Sequence, residues 1–211
     1  MIEQTELRNL LTTAINAAVR AGKLILDVYN SNEFQVNLKS DKTPLTLADR
    51  QAHTEILNSL TKTRIPTLSE EGRDILFEER KSWEYFWLVD PLDGTKEFIK
   101  RNGEFTVNIA LIVHGSPIMG VVYVPVLKDL YFALKGDGSF KISSIEPTLE
   151  SSYRYDQLVK SASKLPLSIK RDKFVVLSSR SHMNAETEEY HDFRNGIGLE
   201  SERSDESNRL S

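Results

Sequence analysis

The hydrophobic and polar positions of this 211-residue chain follow a helical spacing near its beginning. From Leu7 to Val28 an apolar or small residue recurs every three or four positions, which predicts one long helix with a single buried stripe. Many residues of the stripe are alanines, so we expect this helix to pack closely against a neighbouring element. Apolar residues at every fourth position from Ala48 to Leu60 predict a second helix, with Asp49 in its first turn.

Further along the chain, continuous and alternating apolar runs predict β-strands. Short strands are expected over residues 65–68 and 85–89, and each is followed by acidic residues. After Gly94 the sequence predicts longer β-segments over residues 105–114, 117–126 and 130–134, with a hairpin turn at Asp137-Gly138. The pattern favours an antiparallel sheet with helices on its face, which is an α/β or α+β fold.

Composition changes toward the end of the chain. We expect an N-terminal α+β domain over residues 1–143 and the start of a C-terminal α/β unit over residues 144–190, which includes a strand at residues 174–177. Residues 191–211 are expected to form an atypical polar tail. Its last twelve residues include six charged residues and a single apolar one, Leu210, a composition that cannot bury itself. Our hypothesis is that this tail is replaced or read out of frame.

Charge and residue usage exclude several classes of function. The chain carries 27 Lys and Arg against 31 Asp and Glu, a net charge of −4, so we expect no binding to a nucleic-acid polymer. With no cysteine, the chain has neither disulfides nor thiolate metal ligands. The apolar runs are shorter than the ~20 residues of a membrane helix, and the N-terminus lacks a signal-peptide layout. We therefore expect a cytoplasmic protein without a transmembrane segment.

The strongest candidate chemistry is the sequence Asp90-Pro91-Leu92-Asp93-Gly94-Thr95, which directly follows an apolar strand. Two carboxylates at a strand end are suitable ligands for a hard cation such as Mg²⁺. If a helix begins after the glycine, the free amides of Gly94 and Thr95 can hold a phosphate oxygen. Glu70 and Glu71 end the preceding strand and can reach the same edge of the sheet. The alternative is an ordinary surface turn, in which Asp, Pro and Gly are also common.

Part of this motif also resembles the haloacid-dehalogenase signature Asp-x-Asp-Gly-Thr. That signature places a nucleophilic carboxylate two residues before the second Asp. Here position 91 is proline and the upstream carboxylate, Asp90, lies three residues before Asp93. A phospho-aspartate mechanism therefore has no nucleophile in the required place.

Taken together, the Glu70-Glu71 pair and the Asp90–Thr95 motif resemble the inositol monophosphatase superfamily of Mg²⁺-dependent phosphatases. The continuation from Lys96-Glu97-Phe98 to residue 112 is similar to the bacterial 3'(2'),5'-bisphosphate nucleotidase branch. Residues 41–49 and 178–182 extend the similarity over most of positions 1 to about 190. The resemblance implies a layered αβαβα sandwich and hydrolysis of the 3'-phosphate of adenosine 3',5'-bisphosphate to AMP, with phosphosulfated adenylate as a related substrate. Inositol or fructose phosphates remain alternative substrates.

The resemblance also implies roles for individual residues. Two or three Mg²⁺ ions would be held by the side chains of Glu70, Asp90 and Asp93 and by the carbonyl of Leu92. Thr95 and Asp49 would orient and deprotonate the attacking water without a covalent intermediate. The resemblance further implies that the substrate is contacted by Glu70, Leu92, Asp93, Gly94 and Thr95. It implies a water-mediated role for Glu71, and it makes Arg180 and His182 candidate nucleotide contacts.

Members of this family continue with a later motif, Trp-Asp-x-Ala-Ala-Gly, whose Asp is a further metal ligand. The 211 residues contain no such motif, since the tryptophans are Trp83 and Trp87. We therefore expect an incomplete C-terminal α/β unit, and an activity that is reduced or absent. The competing hypothesis is a catalytically silent chain that still binds metal and phosphate. The resemblance leaves open a homodimer and a peripheral association with the inner membrane.

Overall fold

A computed structural model of the chain describes residues 2–31, 37–38 and 44–167, together with residues 186 and 190. The chain divides into two compact units, Met1–Leu167 and Ser168–Ser211. All elements given below lie in the first unit. Of the second unit only Glu186 and Tyr190 are described, and both are exposed. The expected strand at residues 174–177 and the expected tail lie outside the described residues, and the predicted domain boundaries remain predictions.

The described helices are α1 (Gln4–Asn30), α2 (Leu47–Leu60), α3 (Phe77–Arg80), α4 (Thr95–Lys100) and α5 (Tyr155–Ser161). The described strands are β1 (Asn37–Leu38), β2 (Pro44–Leu45), β3 (Thr67–Ser69), β4 (Tyr85–Asp93), β5 (Thr106–Val113), β6 (Ser116–Val124), β7 (Asp129–Leu134), β8 (Gly138–Ile142) and β9 (Ser163–Lys164). Within these ranges, none of the helices combines the length and the apolarity needed to cross a lipid bilayer.

Strands β3 to β9 form a mixed sheet whose spatial order is the order of the chain. β3 and β4 run parallel, and every later neighbouring pair is antiparallel. The sheet and its helices confirm the α+β class predicted from the sequence. Because β3 and β4 are parallel, their carboxyl ends meet at one edge of the sheet, where the acidic residues that follow them come together.

The core lies between the sheet and the α1–α2 pair. Alternate residues of the strands face the helices, and they form one cluster with the apolar stripes of α1 and α2. The predicted close packing of α1 is confirmed: a Cβ at Gly22 would lie 2.4 Å from the ring of Tyr123 on β6. Small residues on α1 therefore let the helix approach the sheet more closely than larger side chains would allow.

Two segments differ from the prediction. No element was predicted between residue 143 and the expected strand at residues 174–177, but this segment contains α5, whose Leu158 is buried in the core, and β9, which pairs with β8. β4 was expected to end at Val89 but continues to Asp93. β9 and the end of β4 pair with neighbouring strands, which supply backbone hydrogen bonds where the local apolar pattern is weak. The helix α5 is held by the burial of Leu158.

Candidate active site

The acidic motif of the chain lies on an irregularity between β4 and β5. Asp90 is opposite Asn108, but three positions later Asp93 is opposite Thr106, so β4 has one residue more than its partner over this interval. Such a bulge bends the strand, and it accommodates Pro91, which has no N–H for the ladder. The Leu92 N–H donates to Asp90 Oδ1 at 3.2 Å. The bulge therefore brings two carboxylates to one strand end while its apolar residues stay buried.

Gly94 connects the bulge to α4 and is required there for two reasons. Its φ of +99° lies in the left-handed region that side chains rarely adopt, and a Cβ would lie 2.8 Å from the carbonyl oxygen of Glu104. The helix begins at the next residue, and the Phe98 N–H donates to the Gly94 carbonyl at 2.9 Å. The geometry places Thr95 at the start of α4, as the sequence predicts.

The side chain of Asp49 is completely buried, and it is held from two directions. Its Oδ2 accepts hydrogen bonds from the backbone N–H of Thr46, at 2.7 Å, and from the Thr46 hydroxyl. Its Oδ1 accepts from the Thr95 hydroxyl at 3.1 Å, and the Leu92 carbonyl lies 3.3 Å from the same hydroxyl. The fold thus brings together the two residues that the family resemblance pairs, although 46 positions separate them in the chain.

Glu70, Asp90 and Asp93 form the acidic side of the site, which we call the carboxylate cluster. β3 ends at Ser69 opposite Val89, and the Glu70 N–H donates to the Val89 carbonyl at 3.0 Å, so Glu70 lies beside Asp90. Burial raises the pKa of Asp90 to about 7, and the charges of Glu70 and Asp93 act in the same direction. Of the three carboxyl groups, Asp90 is therefore the one whose surroundings disfavour the charged form.

The donors of the carboxylate cluster have the chemistry that a divalent cation requires. Mg²⁺ prefers carboxylate and carbonyl oxygens, and a bound cation would relieve the repulsion that raises the Asp90 pKa. Glu70, Asp90, Asp93 and the Leu92 carbonyl are the residues that could hold it. Across the part of the chain that the structure describes, however, no three acidic or histidine side chains form a ready-made metal-binding group. The donor types fit a cation, but a three-carboxylate site is not preassembled.

Several residues near the cluster were missed by the sequence reasoning. Thr46 forms a capping box with Asp49, and its Thr-x-x-Asp spacing is a local signal that could have found it. Asn108 donates from Nδ2 to Asp93 Oδ2 at 3.0 Å, and Thr106 donates to Asn108. No local signal points to Asn108, because its position opposite the motif depends on the strand register.

Arg101 was also missed, and it anchors the helix that carries Thr95. Its guanidinium donates to the carbonyls of Tyr29 and Ser31 at 2.9 and 2.8 Å, at the end of α1. Glu71 follows Glu70 in the chain and is half-buried. The candidate nucleotide contacts Arg180 and His182 lie outside the described residues.

Comparisons with known proteins give matches in both sequence and structure. Residues 6–196 match the inositol monophosphatase family. The 3'(2'),5'-bisphosphate nucleotidase CysQ of Shigella flexneri is 44% identical over 184 residues, which are 86% of this chain and 68% of that protein. The crystal structure of CysQ from Bacteroides thetaiotaomicron matches with a TM-score of 0.83 and 44% identity, over 95% of this chain and 73% of that one. The suhB protein from Bartonella henselae matches at 27% identity with a TM-score of 0.65, over 92% and 69% of the two chains.

Proposed function

The chain belongs to the inositol monophosphatase family, and on that premise we propose that it is a metal-dependent phosphatase acting on bisphosphate nucleotides. The proposed reaction is hydrolysis of the 3'-phosphate of adenosine 3',5'-bisphosphate, which releases AMP and phosphate. The substrate follows from the names of relatives at 44% identity. The observation that carries the proposed chemistry is the hydrogen bond from the Thr95 hydroxyl to the buried Asp49.

This hydrogen bond fixes the orientation of the Thr95 hydroxyl hydrogen. With its hydrogen donated to Asp49 Oδ1, the Thr95 oxygen has lone pairs available to accept a proton from an attacking water. The hydroxyl can pass its own proton to Asp49 in the same step. Thr46 holds the other Asp49 oxygen with two hydrogen bonds, so the carboxylate cannot rotate away from Thr95.

The carboxylate cluster would hold the cations that the reaction requires. Bound Mg²⁺ supplies charge that polarises the phosphate and lowers the pKa of water. The residues proposed as ligands are Glu70, Asp90, Asp93 and the carbonyl of Leu92, and Glu71 is proposed to act through water on a further ion. The backbone amides of Gly94 and Thr95 are proposed to bind the phosphate oxygens. No residue forms a covalent bond to phosphorus in this scheme.

A second candidate function is binding of metal and phosphate without turnover. The two functions have the same ligands but differ in product formation.

Release of inorganic phosphate from adenosine 3',5'-bisphosphate tests both functions. The first function predicts release by the full chain in Mg²⁺, none in EDTA, and loss of release in Asp93→Asn, whereas the second predicts no release. Asp137→Asn is the matched control, because it makes the same substitution at a carboxylate outside the site. Folded protein that releases no phosphate but binds Mn²⁺ would contradict the first function and support the second. Faster release from inositol monophosphate or fructose 1,6-bisphosphate would contradict the nucleotide specificity.

A further inference from the structure

Two neutral side chains of β5 form a hydrogen-bonded chain that ends on a member of the carboxylate cluster. Thr106 Oγ1 donates to Asn108 Oδ1 at 3.1 Å, and Asn108 Nδ2 donates to Asp93 Oδ2 at 3.0 Å. Thr106 and Asn108 are two positions apart on one strand, so their side chains lie on the same face of the sheet. Opposite them on β4 lie Asp93 and Asp90, respectively. The hydrogen-bonded chain therefore spans the bulge that carries the acidic motif.

The order of donors in this chain fixes the orientation of the Asn108 amide. An asparagine amide has an acceptor oxygen and a donor nitrogen, and it can be turned either way when nothing selects between them. The Thr106 hydroxyl donates to the oxygen, which leaves the nitrogen directed at Asp93. Asp93 is consequently held through Oδ2 by a donor that is itself held in place.

The neutrality of this donor matters as much as its position. A lysine or arginine at position 108 would also donate to Asp93, but its positive charge would compensate the carboxylate and repel a metal ion. Arg8 has that effect on Asp137 at another place in this chain, where ion pairing and hydrogen bonding lower the pKa of the carboxyl to about 2. An amide restricts the rotation of Asp93 without removing its charge.

We infer that Asn108, oriented by Thr106, is a positioning residue that holds Asp93 for a divalent cation. The inference rests on the proposed function, because it takes Asp93 as a metal ligand. Partners of metal ligands fix the ligand's direction, and their loss typically weakens metal binding by about 10–100-fold. Asn108 therefore acts on cation affinity through Asp93.

Titration of the full chain with Mn²⁺, followed by electron paramagnetic resonance, tests this role without any substrate. We expect Asn108→Ala to weaken Mn²⁺ binding by about 10-fold or more. Thr106→Val removes the hydroxyl at nearly constant volume, and we expect a smaller loss in the same direction. Gln4→Ala is the matched control: Gln4 also donates an amide hydrogen bond to a carboxylate, at 3.1 Å from Asp137, so its loss should leave Mn²⁺ affinity unchanged.

Asn108→Lys separates a positioning role from a merely structural one. The lysine retains a donor near Asp93 but adds a charge, so we expect Mn²⁺ affinity to fall at least as far as in Asn108→Ala. In EDTA, we expect the unfolding temperature of the lysine variant to be higher than that of the alanine variant. Recovery of wild-type Mn²⁺ affinity by lysine would overturn the inference.

The remaining outcomes are also decisive. If folded Asn108→Ala binds Mn²⁺ with wild-type affinity, the inference is overturned but the proposed function is not. If Asn108→Ala does not fold, Thr106→Val decides, and an unchanged affinity in that variant overturns the inference. A wild-type chain that binds no Mn²⁺ overturns the proposed function, and the inference with it.

Discussion

Two carboxylates of this chain occupy opposite electrostatic environments. Asp137, in the turn between β7 and β8, accepts two hydrogen bonds from the Arg8 guanidinium, one from Gln4 and one from Tyr155, and these bonds lower its pKa to about 2. Asp90 lies beside Glu70 and within reach of the charge of Asp93, and burial together with these charges raises its pKa to about 7. One carboxylate is stabilised in its charged form, and the other is destabilised.

The difference separates a structural carboxylate from a proposed metal ligand. The Asp137 cluster joins the first turn of α1 and the helix α5 to the sheet with groups that the chain itself supplies, so it is complete without a ligand. Burial and the neighbouring carboxylates disfavour the charged form of Asp90, and a cation bound there would favour it. The surroundings of Asp90 therefore favour a ligand of positive charge.

The largest expected effect is on activity, in Asp90→Asn. Removing a proposed metal ligand should lower the rate of phosphate release from adenosine 3',5'-bisphosphate by about 100-fold or more. The same change removes carboxylate repulsion, so the unfolding temperature in EDTA should stay the same or rise. Phosphate release and thermal unfolding measure the two effects. Unchanged activity, or a large loss of stability in EDTA, would contradict the contrast with Asp137.

Asp137→Asn should have the converse effect. It leaves the Arg8 guanidinium without its carboxylate partner, and we expect a loss of about 1–3 kcal/mol in the free energy of unfolding. Phosphate release should stay near the wild-type rate, because the variant leaves the carboxylate cluster unchanged. Urea unfolding followed by circular dichroism measures the loss. A fall in activity without a fall in stability would show that the two clusters are coupled.

Arg101→Ala tests whether the guanidinium of Arg101 stabilises the helices and does not act on the carboxylate cluster. Arg101 donates to two carbonyls at the end of α1, and we expect its removal to cost about 1 kcal/mol of stability. Because α4 carries Thr95, phosphate release should also decrease, by several-fold. Arg101→Lys keeps the charge but loses the two-pronged geometry, and an intermediate effect is expected. An increase in Mn²⁺ affinity in Arg101→Ala would instead assign the charge of Arg101 to the carboxylate cluster.

The pH dependence of stability in EDTA is expected to have opposite signs for the two carboxylates. The folded-state pKa of Asp90 is raised from 3.8 to about 7, so the folded state holds more protons in this window and stability falls as pH rises through it. The pKa of Asp137 is lowered from 3.8 to about 2, so its contribution is complete above pH 3.8 and is lost as pH falls toward 2.

Urea unfolding at several pH values measures both windows. Asp90→Asn should gain stability over the wild type above about pH 7, with no difference below pH 3.8. The deficit of Asp137→Asn should be present at neutral pH and vanish near pH 2. Parallel pH profiles for wild type and Asp90→Asn would contradict the electrostatic origin of the contrast.

Much of the fold was predictable from the sequence, and the exceptions have a common cause. The spacing of apolar residues predicts α1 and α2, and their alternation predicts the strands from β5 to β8 to within a few residues. Asp137-Gly138 lies at the turn where the hairpin was expected. By contrast, α5 and β9 lie in a segment without a clear period, and they are held by contacts with α1 and β8 that no local pattern records.

The candidate site follows the same division. The motif from Asp90 to Thr95 is recognisable because its turn residues, its carboxylates and the strand before it are adjacent in the chain. Its supporting residues are not adjacent. Asn108 lies opposite Asp90 because of the strand register, and Arg101 donates a hydrogen bond to the Tyr29 carbonyl at the end of α1. The pairing of Asp49 with Thr95 was implied by family resemblance, and spacing alone left it undecided.

The sequence by itself therefore determined the types of the longer elements, the family and the acidic motif, because periodicity and turn chemistry are local properties of the chain. The tertiary structure decided which charged and polar groups lie in contact. Arg8 reaches Asp137 across 129 positions, Thr95 reaches Asp49 across 46, and Asn108 faces Asp93 only because β4 contains a bulge. These contacts decide whether the charged form of a carboxylate is stabilised, since electrostatic interactions depend on the distance in space and not on the separation along the chain.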